Sequence, residues 1–146
     1  AAMLGQKELK KWINTAVTKE LCSDKPSEIT RVSLLRARFA EELAPLFGMA
    51  QLSQELFLMG LFSVLDIILD KPMEEALESI SIAKEIKTAL VDGSGELYQV
   101  LNFIKEYENA SWQEVSRLMI LDKVEMNDVY NVYLGALSWY RELINL

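Results

Sequence analysis

Histidine is absent from this chain of 146 residues, and cysteine occurs only once, at Cys22. Without imidazole groups the chain cannot build a Ser–His–Asp or Cys–His nucleophile system, or a zinc site with histidine ligands. A lone thiol can form neither an intramolecular disulfide nor a cysteine-only zinc site, which fits a reducing compartment. The sequence therefore predicts no metal, no cofactor and no catalytic residue, and it favours a cytoplasmic protein.

Proline and glycine are also scarce, with 3 and 6 residues, whereas 51% of the chain is apolar. Good helix formers are abundant, and apolar residues recur with helical spacing rather than in strand-like alternation. The length suits one domain. We therefore expect residues 1–146 to form a single all-α domain, a bundle-like array of seven or eight helices. The predicted helices are 6–20, 27–47, 53–70, 72–78, 82–91, 96–108, 111–121 and 127–144, with Ser53, Ser81 and Ser111 as caps.

The formal net charge of −7 disfavours nucleic acid as a partner, because an acidic surface repels phosphate backbones. The charge is uneven, however: residues 1–38 carry a net charge of +4 and the remainder −11. Two readings stay open at this point. The chain has either two solvated faces of opposite sign or a basic end that docks on an acidic partner or an adjoining domain.

No secretory signal is visible, because the N-terminus lacks an apolar run. The most apolar segment, 56–69, contains Asp66 and is shorter than the roughly 20 residues that span a bilayer. It predicts a buried central helix rather than a membrane anchor. Asp66 and Asp70 lie four residues apart and would share a face of that helix, yet a hard cation needs further oxygen ligands. Asp66 therefore either pairs with an arginine, caps a backbone group or contributes to a ligand site.

Arg31, Arg36 and Arg38 form a basic stretch on the helix predicted at 27–47. Arginine suits carboxylate and phosphate groups, so this stretch is a candidate site for an anionic ligand or partner. The plainer alternative is a set of structural ion pairs, since Arg38 lies one helical turn before Glu42.

The last predicted helix, 127–144, carries apolar residues away from its main stripe, notably Tyr130, Leu134 and Trp139. A helix with two apolar faces often docks on another surface, so these residues are a candidate interface. Packing in the core is the alternative for each of them.

The segment 57–66, read as F-L-M-G-L-F-S-V-L-D, resembles the central helix of HDOD domains, which are relatives of the HD-type metal phosphohydrolases. The segments 4–12 and 34–41 resemble two further motifs of that family. In metal-binding relatives a His–Asp pair would fall on Ser63 and Val64, and an earlier histidine on Val32. The resemblance covers 4–90 most strongly and is closest to the group that follows an EAL phosphodiesterase domain.

This resemblance implies an HD-related helical array that is truncated at its N-terminus, with 94–146 as accessory C-terminal helices. The vestigial positions Val32, Ser63 and Val64 cannot ligate a metal, so it implies a non-catalytic regulatory or interaction domain in bacterial signalling. The partner would be an attached or separate EAL-type phosphodiesterase of cyclic di-GMP, and a homodimer is a further expectation. The alternative is a small-molecule or nucleotide sensor that uses a vestigial cavity beside Ser63 and Asp66.

Overall fold

Helices joined by short connections make up the part of the chain that the computed structural model describes, residues 28–145. They are α1 Glu28–Leu43, α2 Ser53–Phe62, α3 Leu65–Leu69, α4 Met73–Ala76, α5 Lys84–Lys87, α6 Glu96–Glu108, α7 Trp112–Asp122 and α8 Met126–Ile144. Helical turns of other types precede α2 at Ala50–Leu52, follow α4 at Leu77–Ser79 and extend α5 through Thr88–Asp92. The all-α multi-helix array is confirmed. The helix predicted at 6–20, the motif at 4–12 and Cys22 lie outside the described residues.

The core forms around the crossing of α1 and α2, the most extensive helix contact in the described part. Every residue from Leu56 to Phe62 is buried, as expected for a central helix that is apolar on all sides. The crossing is close because its side chains are small. A Cβ added to Gly60 would lie 2.6 Å from the carbonyl of Arg36 and 2.7 Å from the nitrogen of Ala37.

A buried hydrogen bond fixes the register of this crossing. The Ser33 hydroxyl, fully buried on α1, donates to the carbonyl oxygen of Leu61 at 2.5 Å. The other helices pack around the pair: α8 against α1, α6 against both helices, and α7 against α6. Helix α7 is therefore peripheral, and only Val115 and Met119 on it are buried.

Two predicted helices end earlier than the sequence suggests. Helix α1 ends at Leu43, and a turn that closes through the Met49 amide and the Ala44 carbonyl at 2.8 Å follows it. The helix predicted at 53–70 is broken at Ser63 and Val64. There the Ser63 hydroxyl donates to the carbonyl of Gly60 at 2.7 Å and competes with the helical hydrogen bonds.

Both aspartates that were expected on one helix face lie after this break. Asp66 lies in the first turn of the short helix α3, and Asp70 ends that helix in a left-handed conformation with φ of 53°. The two residues thus lie at the two ends of one short helix, and the shared face stays a prediction.

Ser111 occupies the predicted N-cap position of α7, but its side chain forms no capping hydrogen bond. The other two predicted caps are wrong: Leu52 is the N-cap of α2, and the helix after Ser81 begins only at Lys84, with Ala83 as its N-cap. The glutamate of the expected capping box, Glu114, is bound by the Arg117 guanidinium instead.

Residues Ala50–Leu69 are long and apolar enough to cross a membrane by length and composition, so the expectation that this region is too short was wrong. The core helix of a soluble protein passes the same test, and half of the most apolar window is buried inside the fold. This segment contains the break after Phe62, and Ile67 and Leu69 beyond it are exposed.

The crossing predicts opposite effects for two glycine substitutions. Gly60→Ala should destabilise the fold by about 2–3 kcal/mol, because the added methyl group meets backbone atoms that cannot move aside. Gly135→Ala, in α8, has open space around its Cβ and should stabilise by about 0.5–1 kcal/mol, since alanine is the better helix former. Urea unfolding of both variants measures the difference. Equal effects of the two substitutions would contradict the close crossing.

Candidate functional site around the Arg36 ion pair

Arg36 joins three parts of the fold at one point. Its Nε and Nη2 donate to the two carboxylate oxygens of Glu108, at the end of α6, at 2.9 and 2.8 Å. Its Nη1 donates to the Ser63 hydroxyl, at the break between α2 and α3, at 3.1 Å. The Arg36 side chain is 14% exposed and that of Glu108 32%. This two-pronged geometry is the strongest form of an arginine–carboxylate pair.

The three positions that the resemblance singled out, Val32, Ser63 and Val64, lie on or beside the elements that Arg36 connects. Val32 is half-buried and lies one turn before Arg36 on α1, and Val64 is 5% exposed. The Ser63 hydroxyl accepts a hydrogen bond from Arg36. The guanidinium beside Ser63 is paired with the Glu108 carboxylate. The aliphatic side chains of Val32 and Val64 offer a metal no ligand.

Metal-binding side chains do not cluster elsewhere in residues 28–145 either: no group of three or more His, Cys, Asp or Glu residues there could hold an ion. The described part of the chain thus offers ion pairs and cavities at this site.

Arg31 and Arg36 line the same surface cavity of about 270 Å³, together with Glu28, Val32, Leu35, Phe39, Glu108 and Tyr133. Arg31 is paired with Glu28 at 2.9 Å, so each arginine in the cavity already faces a carboxylate. An anionic ligand would have to compete with these glutamates for the guanidinium groups.

Arg38 lies apart from the other two arginines. It binds Glu41 at 2.5 Å and Glu42 at 3.1 Å, the second being the pair that the sequence suggested. Its guanidinium also lies 5.8 Å from the ring centre of Trp139 on α8. Arg38 thus fastens α8 to α1, and the structure does not bring the three arginines together into one anion site.

Asp66 is half-exposed and forms no side-chain hydrogen bond or ion pair in the described part, so the expected arginine partner is missing. It lines a cavity of about 310 Å³ together with Ser63, Asp92, Tyr98 and Lys105. A cavity is therefore present beside Ser63 and Asp66, as expected. It holds two carboxylates and one ammonium group.

Tyr107, next to Glu108, organises the aromatic side chains behind the ion pair. Its ring centre lies 5.5 Å from that of Phe39, 5.3 Å from Tyr133 and 5.5 Å from Trp112. Partial burial, with the neighbouring Tyr133, raises the pKa of the Tyr107 hydroxyl. Glu108 was not singled out from the sequence, because no spacing rule links it to Arg36, 72 positions earlier.

The three candidate interface residues have different surroundings. Tyr130 and Leu134 on α8 are 53% and 44% exposed. Trp139 instead packs edge-on against Phe57 at 6.2 Å and against Arg38. Most of the other exposed large apolar side chains also lie on α7 and α8: Trp112, Ile120, Leu121, Met126 and Ile144. Helices α7 and α8 thus carry most of the exposed large apolar side chains in the described part.

No family model matches the chain. No solved structure matches it. Over 143 residues, 98% of its length, the chain is 32% identical to the cyclic di-GMP phosphodiesterase CdgJ of Vibrio cholerae, of which it covers 33%. It is also 31% identical to the uncharacterized protein YuxH of Bacillus subtilis and covers 35% of that protein. The chain thus spans about a third of the length of these curated relatives.

A double-mutant cycle measures how strongly the Arg36 pair joins α1 to α6. Arg36→Met and Glu108→Gln, singly and together, should give a coupling free energy of about 1–3 kcal/mol, because the bonds are charge-assisted and partly buried. The same cycle on the exposed pair Arg31 and Glu28 should give less than about 0.5 kcal/mol. Urea unfolding supplies the free energies. A coupling at Arg36 no larger than at Arg31 would show that the pair does not hold the site together.

Proposed function

We propose that this chain is a non-catalytic regulatory domain of the HDOD type in bacterial signalling, and that it acts on an EAL-type cyclic di-GMP phosphodiesterase domain outside the chain. The observation that carries this proposal is the match of nearly the whole chain to a third of a cyclic di-GMP phosphodiesterase. A segment of that size leaves room for a separate catalytic domain in the relative.

The ion pair at Arg36 supports a role without catalysis. A phosphodiester hydrolase of the metal-dependent kind needs ligands that converge on an ion and polarise a water molecule. Here the Ser63 hydroxyl accepts from Arg36 and donates to the Gly60 carbonyl, which commits it to structural hydrogen bonds. Glu108 is likewise held by Arg36.

Helix α7 is the surface that we propose for contact with the phosphodiesterase domain. Ile120 and Leu121 are 77% and 63% exposed, more than any other large apolar residues in the described part. Because α7 packs mainly on α6, a shift of α7 would reach Glu108 and Tyr107 at the end of that helix. Binding there would change the orientation or the oligomeric state of the attached domain.

The alternative, a sensor of an anionic nucleotide, finds less support. The cavity beside Ser63 and Asp66 contains the carboxylates of Asp66 and Asp92 against the single ammonium group of Lys105. This balance disfavours a phosphate group. We therefore favour the interaction role.

Leu121→Asp in the full-length protein tests this proposal. The substitution places a charge on the contact surface and should change the rate of cyclic di-GMP hydrolysis by roughly fivefold or more, the lower end of ordinary allosteric coupling. Ile67→Asp, at another exposed apolar position on α3, is the matched control and should leave the rate unchanged. Hydrolysis is followed by chromatography of the product, and circular dichroism checks the fold.

Two results would contradict the proposal. The first is an unchanged rate both in Leu121→Asp and in a protein that lacks this chain altogether. The second is hydrolysis of cyclic di-GMP by the chain alone.

A further inference from the structure

Helix α8 has a second apolar stripe beside the one that it buries. Val129, Ala136 and Tyr140 are buried, and α8 packs on α1. About a quarter turn away, a row of large apolar residues follows the helix at spacings of three, four and seven, which keep a row on one side. This row, called the α8 flank, consists of Met126, Tyr130, Leu134, Leu137 and Ile144. All but the half-buried Leu137 are 40–53% exposed.

One charged residue belongs to the same side of the helix. Arg141 is exposed and forms no ion pair with any residue in the described part of the chain. By helical position it lies next to Leu134 and Leu137 on the flank. A free guanidinium can bind the face of an aromatic ring as well as a carboxylate.

The α8 flank is complementary to the α8 flank of a second copy that runs antiparallel to it. Tyr130 and Arg141 lie at equal distances on either side of the midpoint between Leu134 and Leu137, about 8 Å each at 1.5 Å per residue. A twofold axis at that midpoint places Tyr130 of each copy over Arg141 of the other copy, so the dimer has two such contacts. Leu134 then meets the partner's Leu137, and Met126 lies beside the partner's Ile144.

We propose that the α8 flank binds a second copy of this chain, antiparallel, about this twofold axis. Isologous pairing of one patch with itself is the commonest route to a symmetric dimer. Burial of the leucines supplies apolar contact, and the two Tyr–Arg contacts fix the register. A contact of two single helices is small for a stable complex, so the dimer is weak and dissociates on dilution.

The inference extends the regulatory role proposed above, since two copies of this domain would bring two attached domains together. Only the biological role of the dimer, not its formation, rests on the proposed function. Self-association is measured on this chain without a phosphodiesterase, whereas the proposed function is measured by hydrolysis, so either can fail while the other stands.

Sedimentation velocity of the purified chain, from micromolar to near-millimolar concentration, tests the dimer. We expect the unmodified chain to shift from monomer to dimer across this range. Leu134→Asp should remain monomeric throughout, whereas Ile67→Asp, an equally drastic change at an exposed position on α3, should behave as the unmodified chain does. Circular dichroism confirms that the variants are folded.

Two further variants test the register. Tyr130→Lys places a cation against the partner's Arg141, and Arg141→Glu removes the cation, so each variant alone should be monomeric. Mixed together, they should form a heterodimer, because one contact then joins lysine to glutamate and the other is the original tyrosine–arginine contact.

Several outcomes would overturn the proposal. The first is an unmodified chain that stays monomeric at every concentration. If Leu134→Asp also lowers the melting temperature of that monomer, the chain's own residues cover the flank. The second is a dimer that persists in Leu134→Asp. The third is a mixture of the two charge variants that stays monomeric.

Discussion

The close approach of α1 and α2 determines the rest of this structure. Gly60 lets the backbone of α2 touch that of α1 at Arg36 and Ala37, and the hydroxyl of Ser33 closes the crossing with a hydrogen bond to Leu61. Helices with ordinary side chains at their contact pack 8–10 Å apart, so a larger residue at 60 would push them apart. Since α6 and α8 both pack on α1, a change in this crossing also shifts the surface of α1 on which those two helices pack.

The site follows from the same contact. The backbone of Arg36 lies against Gly60, so its side chain reaches past the end of α2 to the hydroxyl of Ser63 and to the carboxylate of Glu108. Positions 32, 63 and 64 carry two aliphatic side chains and a hydroxyl, with the Arg36 guanidinium beside the hydroxyl. The ion pair thus links three elements of the fold.

The sequence predicted the helices well because helical spacing and buried apolar stripes are local signals. It placed α6 correctly and recognised α2 as central from its apolar residues on every side. Its errors lie where side chains compete for the backbone. Ser63 breaks a helix that an apolar pattern alone would continue. The Ser111 side chain forms no capping hydrogen bond, and Glu114 binds Arg117 instead of completing a capping box.

Contacts between distant segments could not be predicted in the same way. Arg38 was matched to Glu42 because both lie on one helix, but Glu108 became the partner of Arg36 only through the packing of α6 on α1. Trp139 illustrates the same limit: its position off the main stripe suggested an interface, and the neighbours Phe57 and Arg38 cover it in the fold.

The role without catalysis that we propose predicts that no metal ion binds beside the Arg36 ion pair. Calorimetric titration of the purified chain with manganese and with zinc, compared with Arg36→Met, tests this expectation. We expect no stoichiometric binding of either ion to the unmodified chain. Tight binding of one ion per chain, lost on substitution of Ser63 by alanine, would contradict it.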